Sequence, residues 1–123
     1  MAILTLKQLT ESGVWAHQRQ LFERLFGDAV DVNPLLCIEV ATQFDWDLFA
    51  YLFLSTSRLM QYTSVRTPEW TRYRSSREAL SASYVPNGPT SYNQYWAARK
   101  SLLDQYDTAC AALFGELYDT QGE

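Results

Sequence analysis

Histidine occurs once in the 123 residues and cysteine twice, and the three are scattered as His17, Cys37 and Cys110. None of them stands in a metal-ligand spacing, so a structural metal centre is not expected. The cysteines read as buried free thiols of a reducing compartment. No serine, cysteine or acid is tied to His17 by sequence, and it reads as a surface or helix-end histidine. A glycine-rich phosphate loop, a GxSxG elbow, HExxH and CxxC are all missing. The sequence therefore predicts a non-enzymatic protein with no cofactor. Asp45 and Asp47, with Glu39 nearby, could bind a cation, but two aspartates around a tryptophan are more simply a helix cap and a dipole partner.

Long apolar runs are also lacking, so no membrane span and no membrane partner are expected. Met1 to Leu9 has no basic n-region of a signal peptide, which predicts a cytoplasmic location. Lys and Arg are missing from Leu25 to Ser57, where five acids stand. From Arg58 to Arg77 there are five arginines against one acid, and after Lys100 five acids and no base. The net charge of −4 argues against a general nucleic-acid binder, yet the order acidic, basic, acidic would bring the last two blocks together in a hairpin.

What the chain does have is aromatic residues, 15% of the total, eight of them tyrosines. Tyr51, Tyr62, Tyr73, Tyr84, Tyr95 and Tyr106 recur every eleven residues, and Leu117 is the next term. Eleven residues make three helical turns at about 3.67 residues per turn, so one side of a helix carries a large aromatic throughout. In the last helix Tyr95, Ala98, Leu102, Tyr106, Ala109, Leu113 and Leu117 form a seam that Leu103, Cys110 and Phe114 widen. Before it, Tyr62, Val65, Tyr73, Leu80 and Tyr84 lie on the seam, with Trp70 beside it.

Read in order, residues 5–12 predict a short helix capped by Thr5 and ended by Gly13. A second runs from about Trp15 to Phe26, with Trp15, Leu21, Phe22, Leu25 and Phe26 as its apolar stripe. Ala29–Val32 reads as an extended connector. Asn33-Pro34 opens a third helix to about Gln43, burying Leu35, Ile38 and either Cys37 or Ala41. Asp45 caps a core helix from Trp46 to Leu54, packed between the N-terminal helices and the rod. The rod begins at Arg58 and either kinks or breaks at Pro68. The segment 85–89 cannot be helical and reads as a turn, after which Thr90 or Ser91 caps the last helix.

The predicted fold is all-α and one domain, 1–123: N-terminal helices (1–54) packed on a long antiparallel helical hairpin (55–119) built from eleven-residue repeats. With the turn near Asn87, Arg66 should face the neighbourhood of Asp107 and Arg58 that of Glu116. The candidate partner-binding residues are Arg58, Arg66, Trp70, Arg72, Tyr73, Arg74 and Arg77. Arg66, Arg77 and Arg99 each follow a tyrosine by four residues, a spacing that lets the two stack. Such stacking can hold the arms together, or it can present a Tyr/Arg face to a protein or to single-stranded nucleic acid. The half-exposed seam also leaves a homo-oligomer open.

The opening LKQLTESGVWAHQRQLFERLFGD, the FDWD at 44–47 and the Tyr/Arg/Pro repeat resemble a loose group of small bacterial and phage-encoded proteins with tandem eleven-residue units. Tyr62 to Trp70 matches the unit and Tyr73 to Arg77 its beginning; Tyr84 to Gln94 departs from it. The resemblance implies a phage or mobile-element origin and no particular activity. It makes a protein that binds and inhibits a host factor, such as a defence complex, the expected form of an interaction module.

Overall fold

The structure, a computed structural model, describes residues 2–84 and 92–121. Among them it is an all-α fold of six helices with one two-stranded sheet. The predicted turn at 85–89 and the caps Thr90 and Ser91 lie outside the described residues.

Strand β1 (Ile3–Thr5) pairs antiparallel with β2 (Ala29–Asp31), so the expected connector is half of a small sheet. Three residues are too few for an alternating signature, and the partner is distant in sequence. Ala2 N–H donates to Asp31 Oδ1 at 3.1 Å and Val32 N–H to the Ala2 carbonyl at 2.8 Å, extending the pairing. Leu4 and Val32 point into the core.

Helix α1 (Leu6–Glu11) starts in a capping box between Thr5 and Gln8. Gly13 and Gly27 adopt φ of 77° and 74°, the left-handed region that suits glycine after a helix. Between them runs α2 (Ala16–Phe26). Its expected stripe is only partly internal: Phe22 is fully buried, whereas Leu25 is exposed and Trp15 stacks outside on His17. Gln18 is buried instead, donating to the Gln43 carbonyl at 3.0 Å and accepting from Asp45 N–H at 2.9 Å. A buried amide with both ends satisfied fixes the loop ahead of the next core helix.

Asn33 caps α3 (Pro34–Glu39), with Pro34 in the first turn. The helix ends before the expected Gln43, and the residues after it form turns. Leu35 and Ile38, expected inside, are exposed; Cys37 and Ala41 are both buried. The short helix turns its Cys37 side to α6, which leaves Leu35 on the opposite side. Asp45 caps α4 (Trp46–Phe53) at Leu48 N–H, 3.1 Å. Trp46 and Phe49 pack on Phe44 and on Phe114, and Phe44 stacks on Phe26. Helix α4 thus joins α2 to α6, as its all-round apolarity suggested.

Helices α5 (Thr56–Ser83) and α6 (Tyr92–Gln121) are the long elements. Helix α5 is continuous through Pro68, so it does not break there. The two run antiparallel: Ser55 N–H donates to Gln121 Oε1 at 2.6 Å at one end, and Ser81 Oγ meets Tyr95 Oη at 3.0 Å near the other. Tyr62, Tyr73, Tyr95, Tyr106 and Leu117 are buried; Val65, Ala98 and Leu103, expected on the seam, are exposed. Tyr51, the first term of the series, lies on α4 and is exposed. At the base α6 presses against the start of α3, where a Cβ on Gly115 would lie 2.8 Å from Pro34 Cα.

The expected ion pairs between the arms do not form. Arg66 meets Asp47 of α4, not Asp107, and Arg58 meets the Thr120 carbonyl, not Glu116. Among the described residues no ion pair joins α5 to α6. Ring contacts and hydrogen bonds join them instead.

Candidate interaction groove

Asp47, in the first turn of α4, reaches into the groove between α5 and α6. Tyr62 Oη donates to its Oδ1 at 2.8 Å and Arg66 Nη2 to its Oδ2 at 2.9 Å. Burial, then the nearby Cys110 and Asp47, raise the Tyr62 pKa, so its hydroxyl stays a donor. Burial also opposes the Arg66 charge, but the Asp47 carboxylate outweighs it and raises the Arg66 pKa. The guanidinium lies over Trp70, 5.6 Å from the ring centre.

Above this knot the groove floor is aromatic. Trp70, Tyr73 and Tyr106 are mutually in contact, with centroids 5.4–5.6 Å apart. The Tyr106 hydroxyl is buried and, among the described residues, makes no close hydrogen bond. Arg77 covers the Tyr73 ring at 5.4 Å, and Arg99 covers Trp96 at 4.9 Å. Trp96 in turn touches Tyr95 and Tyr92. Trp96 is 43% exposed and Tyr92 64%, large rings held at the surface.

Beside the knot lies an open cleft of about 200 Å³ lined by Asp45, Trp46, Asp47, Tyr106, Asp107 and Cys110. Burial, followed by Asp104, Asp47 and Asp45, pushes the Asp107 pKa up to about 6. Burial also raises the Cys110 thiol, and it lifts Cys37 to about 12, so neither is an activated nucleophile. Among the described residues no cluster of three ligating side chains could hold a metal ion. No helix there is long and apolar enough to cross a membrane.

The predicted partner-binding residues separate into two sets. Arg66, Trp70, Tyr73 and Arg77 gather in the groove, and Arg72 lines a cleft there with Tyr73, Leu102 and Tyr106. Arg72 and Arg74 pair along their own helix with Glu69 and Glu78, and Arg58 sits at the base between Gln61 and the Thr120 carbonyl. Stacking of tyrosine on the arginine four residues later holds at Tyr73–Arg77; Arg66 and Arg99 stack on Trp70 and Trp96 instead. The residues missed from the site are Asp47, Tyr92, Trp96 and Arg99. Arg99 carried a signal, since it holds the same place in the repeat as Arg66 and Arg77. Asp47 carried none, because its partners lie on another helix.

Compared with known protein families, curated proteins and solved structures, the chain matches none.

Proposed function

We propose that this chain is a non-enzymatic helical module that binds another protein through the α5–α6 surface. The single observation that carries this is the exposed Tyr92–Trp96 pair with Arg99 stacked on Trp96. Tyr, Trp and Arg are the residue types on which protein interfaces concentrate binding energy. Exposed rings pre-positioned by neighbours lose little freedom when a partner covers them.

In this reading the eleven-residue tyrosine series builds the long helical pair as a hairpin, and its outward positions are free for recognition. On the resemblance to phage-encoded proteins, the partner is a host protein, and occupation of its surface inhibits it. A nucleic-acid-binding rod is the weaker alternative. Arg66, Arg72 and Arg74 are already neutralised by Asp47, Glu69 and Glu78, and Asp107 lies beside the groove. Among the described residues of α5 and α6 only Arg58, Arg77 and Arg99 have no carboxylate partner, a small number of cations to release counterions.

The test is affinity capture from host lysate on immobilised chain, followed by reconstitution with the purified captured protein. Tyr92→Ala/Trp96→Ala should weaken that purified complex about tenfold or more while leaving the melting curve near wild type. Unchanged affinity would remove the reading.

A further inference from the structure

The residues of the Asp47 knot have counterparts one repeat higher. Eleven residues return a helix to within about 20° of the same side and advance it by about 16 Å. On α5, eleven residues after Tyr62 and Arg66 stand Tyr73 and Arg77; on α6, eleven before Tyr106 and Cys110 stand Tyr95 and Arg99. Because the helices are antiparallel, both shifts move the same way, away from the base. Arg77 therefore lies on the side of α5 from which Arg66 takes Asp47. Arg99 lies on the side of α6 on which Cys110 borders the Asp47 cleft.

The two levels differ in one respect. At the lower level the first turn of α4 lies over the groove and supplies the carboxylate. At the upper level Arg77 and Arg99 are held over the Tyr73 and Trp96 rings, and neither has a carboxylate partner among the described residues. Where Cys110 stands below, Arg99 adds a second positive charge above. Partly buried, ring-stacked guanidinium groups are poorly placed to use water and well placed to take a carboxylate.

We infer that Arg77 and Arg99 form a docking notch for an acidic side chain carried on the first turn of a partner protein's helix, in the way Arg66 and Tyr62 hold Asp47. The inference rests on the reading of the chain as a protein-binding module and gives that partner its chemistry: an aspartate or glutamate next to an aromatic residue, as in Asp45-Trp46-Asp47. The carboxylate would bridge the two arginines while the neighbouring ring lies on Trp96 and Tyr92.

The probe is a labelled synthetic peptide copying residues 43–54, with a neutral solubilising tail, titrated with intact protein and followed by fluorescence anisotropy. Wild type should bind it, and replacing both peptide aspartates by asparagine should weaken binding about tenfold. Arg77→Glu/Arg99→Glu should weaken it at least as much, whereas Arg24→Glu/Arg74→Glu, the same charge change at exposed positions away from the groove, should alter it less than about twofold. Arg77→Gln and Arg99→Gln, each milder to the fold, should show the same direction singly. Undetectable binding, equal binding of the asparagine peptide, or equal loss in the two double reversals would each overturn the notch. An oligo-dT strand that binds with the same dependence on Arg77 and Arg99, and displaces the peptide, would overturn it in favour of nucleic acid. Failure of the notch is separable from failure of the module. A reconstituted complex that Tyr92→Ala/Trp96→Ala weakens, but Arg77→Glu/Arg99→Glu leaves intact, keeps the module and removes the notch.

Discussion

Asp47 and Tyr62 are joined by a 2.8 Å hydrogen bond that, with the Arg66 ion pair on the other carboxylate oxygen, locks α4 onto α5. The charge that fixes the long helices to the rest of the protein comes from the core side, not from the facing arm. Asp47→Ala should leave the Tyr62 hydroxyl and the half-buried Arg66 without their acceptor and cost about 1–3 kcal/mol. In a double-mutant cycle read by thermal melting, Asp47 and Arg66 should couple by about 0.5–1 kcal/mol. Arg66 and Asp107 should show no favourable coupling, and a charge swap between them should rescue nothing.

Tyr73 and Tyr106 touch across the groove and are both buried, so either one replaced by alanine should cost about 3–5 kcal/mol. Leu103→Ala, in an exposed position of the same helix, should stay within about 0.5 kcal/mol. Equal melting shifts for Tyr106→Ala and Leu103→Ala would contradict the packing.

Gly115→Ala reverses a familiar sign. In an exposed helix, glycine to alanine gains about 1 kcal/mol from backbone propensity. Here the new methyl would lie within 2.9 Å of the Asn33 carbonyl group and 2.8 Å from Pro34 Cα, which are backbone atoms that cannot swing aside. Overpacking of this kind costs about 1–3 kcal/mol, so denaturant midpoints should fall. A rise would show that α3 moves away from α6 freely.

Asp107 gives a pH signature. Its folded pKa, pushed up to about 6 by burial and by Asp104, Asp47 and Asp45, lies above the ordinary carboxylate value of 3.8. Between those two values the folded state holds more protons than the unfolded one, so stability falls as pH rises through the window. Asp107→Asn should therefore stabilise the protein at pH 7, by less than about 1 kcal/mol because solvent screens a partly exposed group. At pH 3.5 the same change should have almost no effect. A gain that is the same at both values would rule out the titration.

Pro68 sits in an exposed interior position of a helix that continues past it. Proline there lacks the N–H that a helix interior needs. Pro68→Ala should raise the thermal midpoint, by about 1–3 kcal/mol of stability, without changing helical content. A loss of stability would mean that the proline ring makes a contact the helix depends on.

The sequence by itself determined the helices whose ends carry local chemistry. Thr5, Asn33 and Asp45 each cap a helix start through a side-chain oxygen, and Gly13 follows a helix end with positive φ. Caps are legible because donor and acceptor lie within three residues of each other. The eleven-residue spacing likewise marked Tyr62, Tyr73, Tyr95 and Tyr106, all buried, because helical periodicity is also local. The same local spacing puts the predicted site residues Arg66, Trp70, Tyr73 and Arg77 on one side of α5.

Only the tertiary structure decided which neighbours those residues have. The β1–β2 pairing, the buried Gln18, the seat of Gly115 on Pro34 and the Asp47–Arg66 pair all join segments far apart in the chain. A charge block names a sign but not a partner, since any of several acids can satisfy an arginine. Leu35 and Ile38 are outside and Cys37 inside because α3 offers α6 a face chosen by close packing, a fit that depends on both surfaces at once.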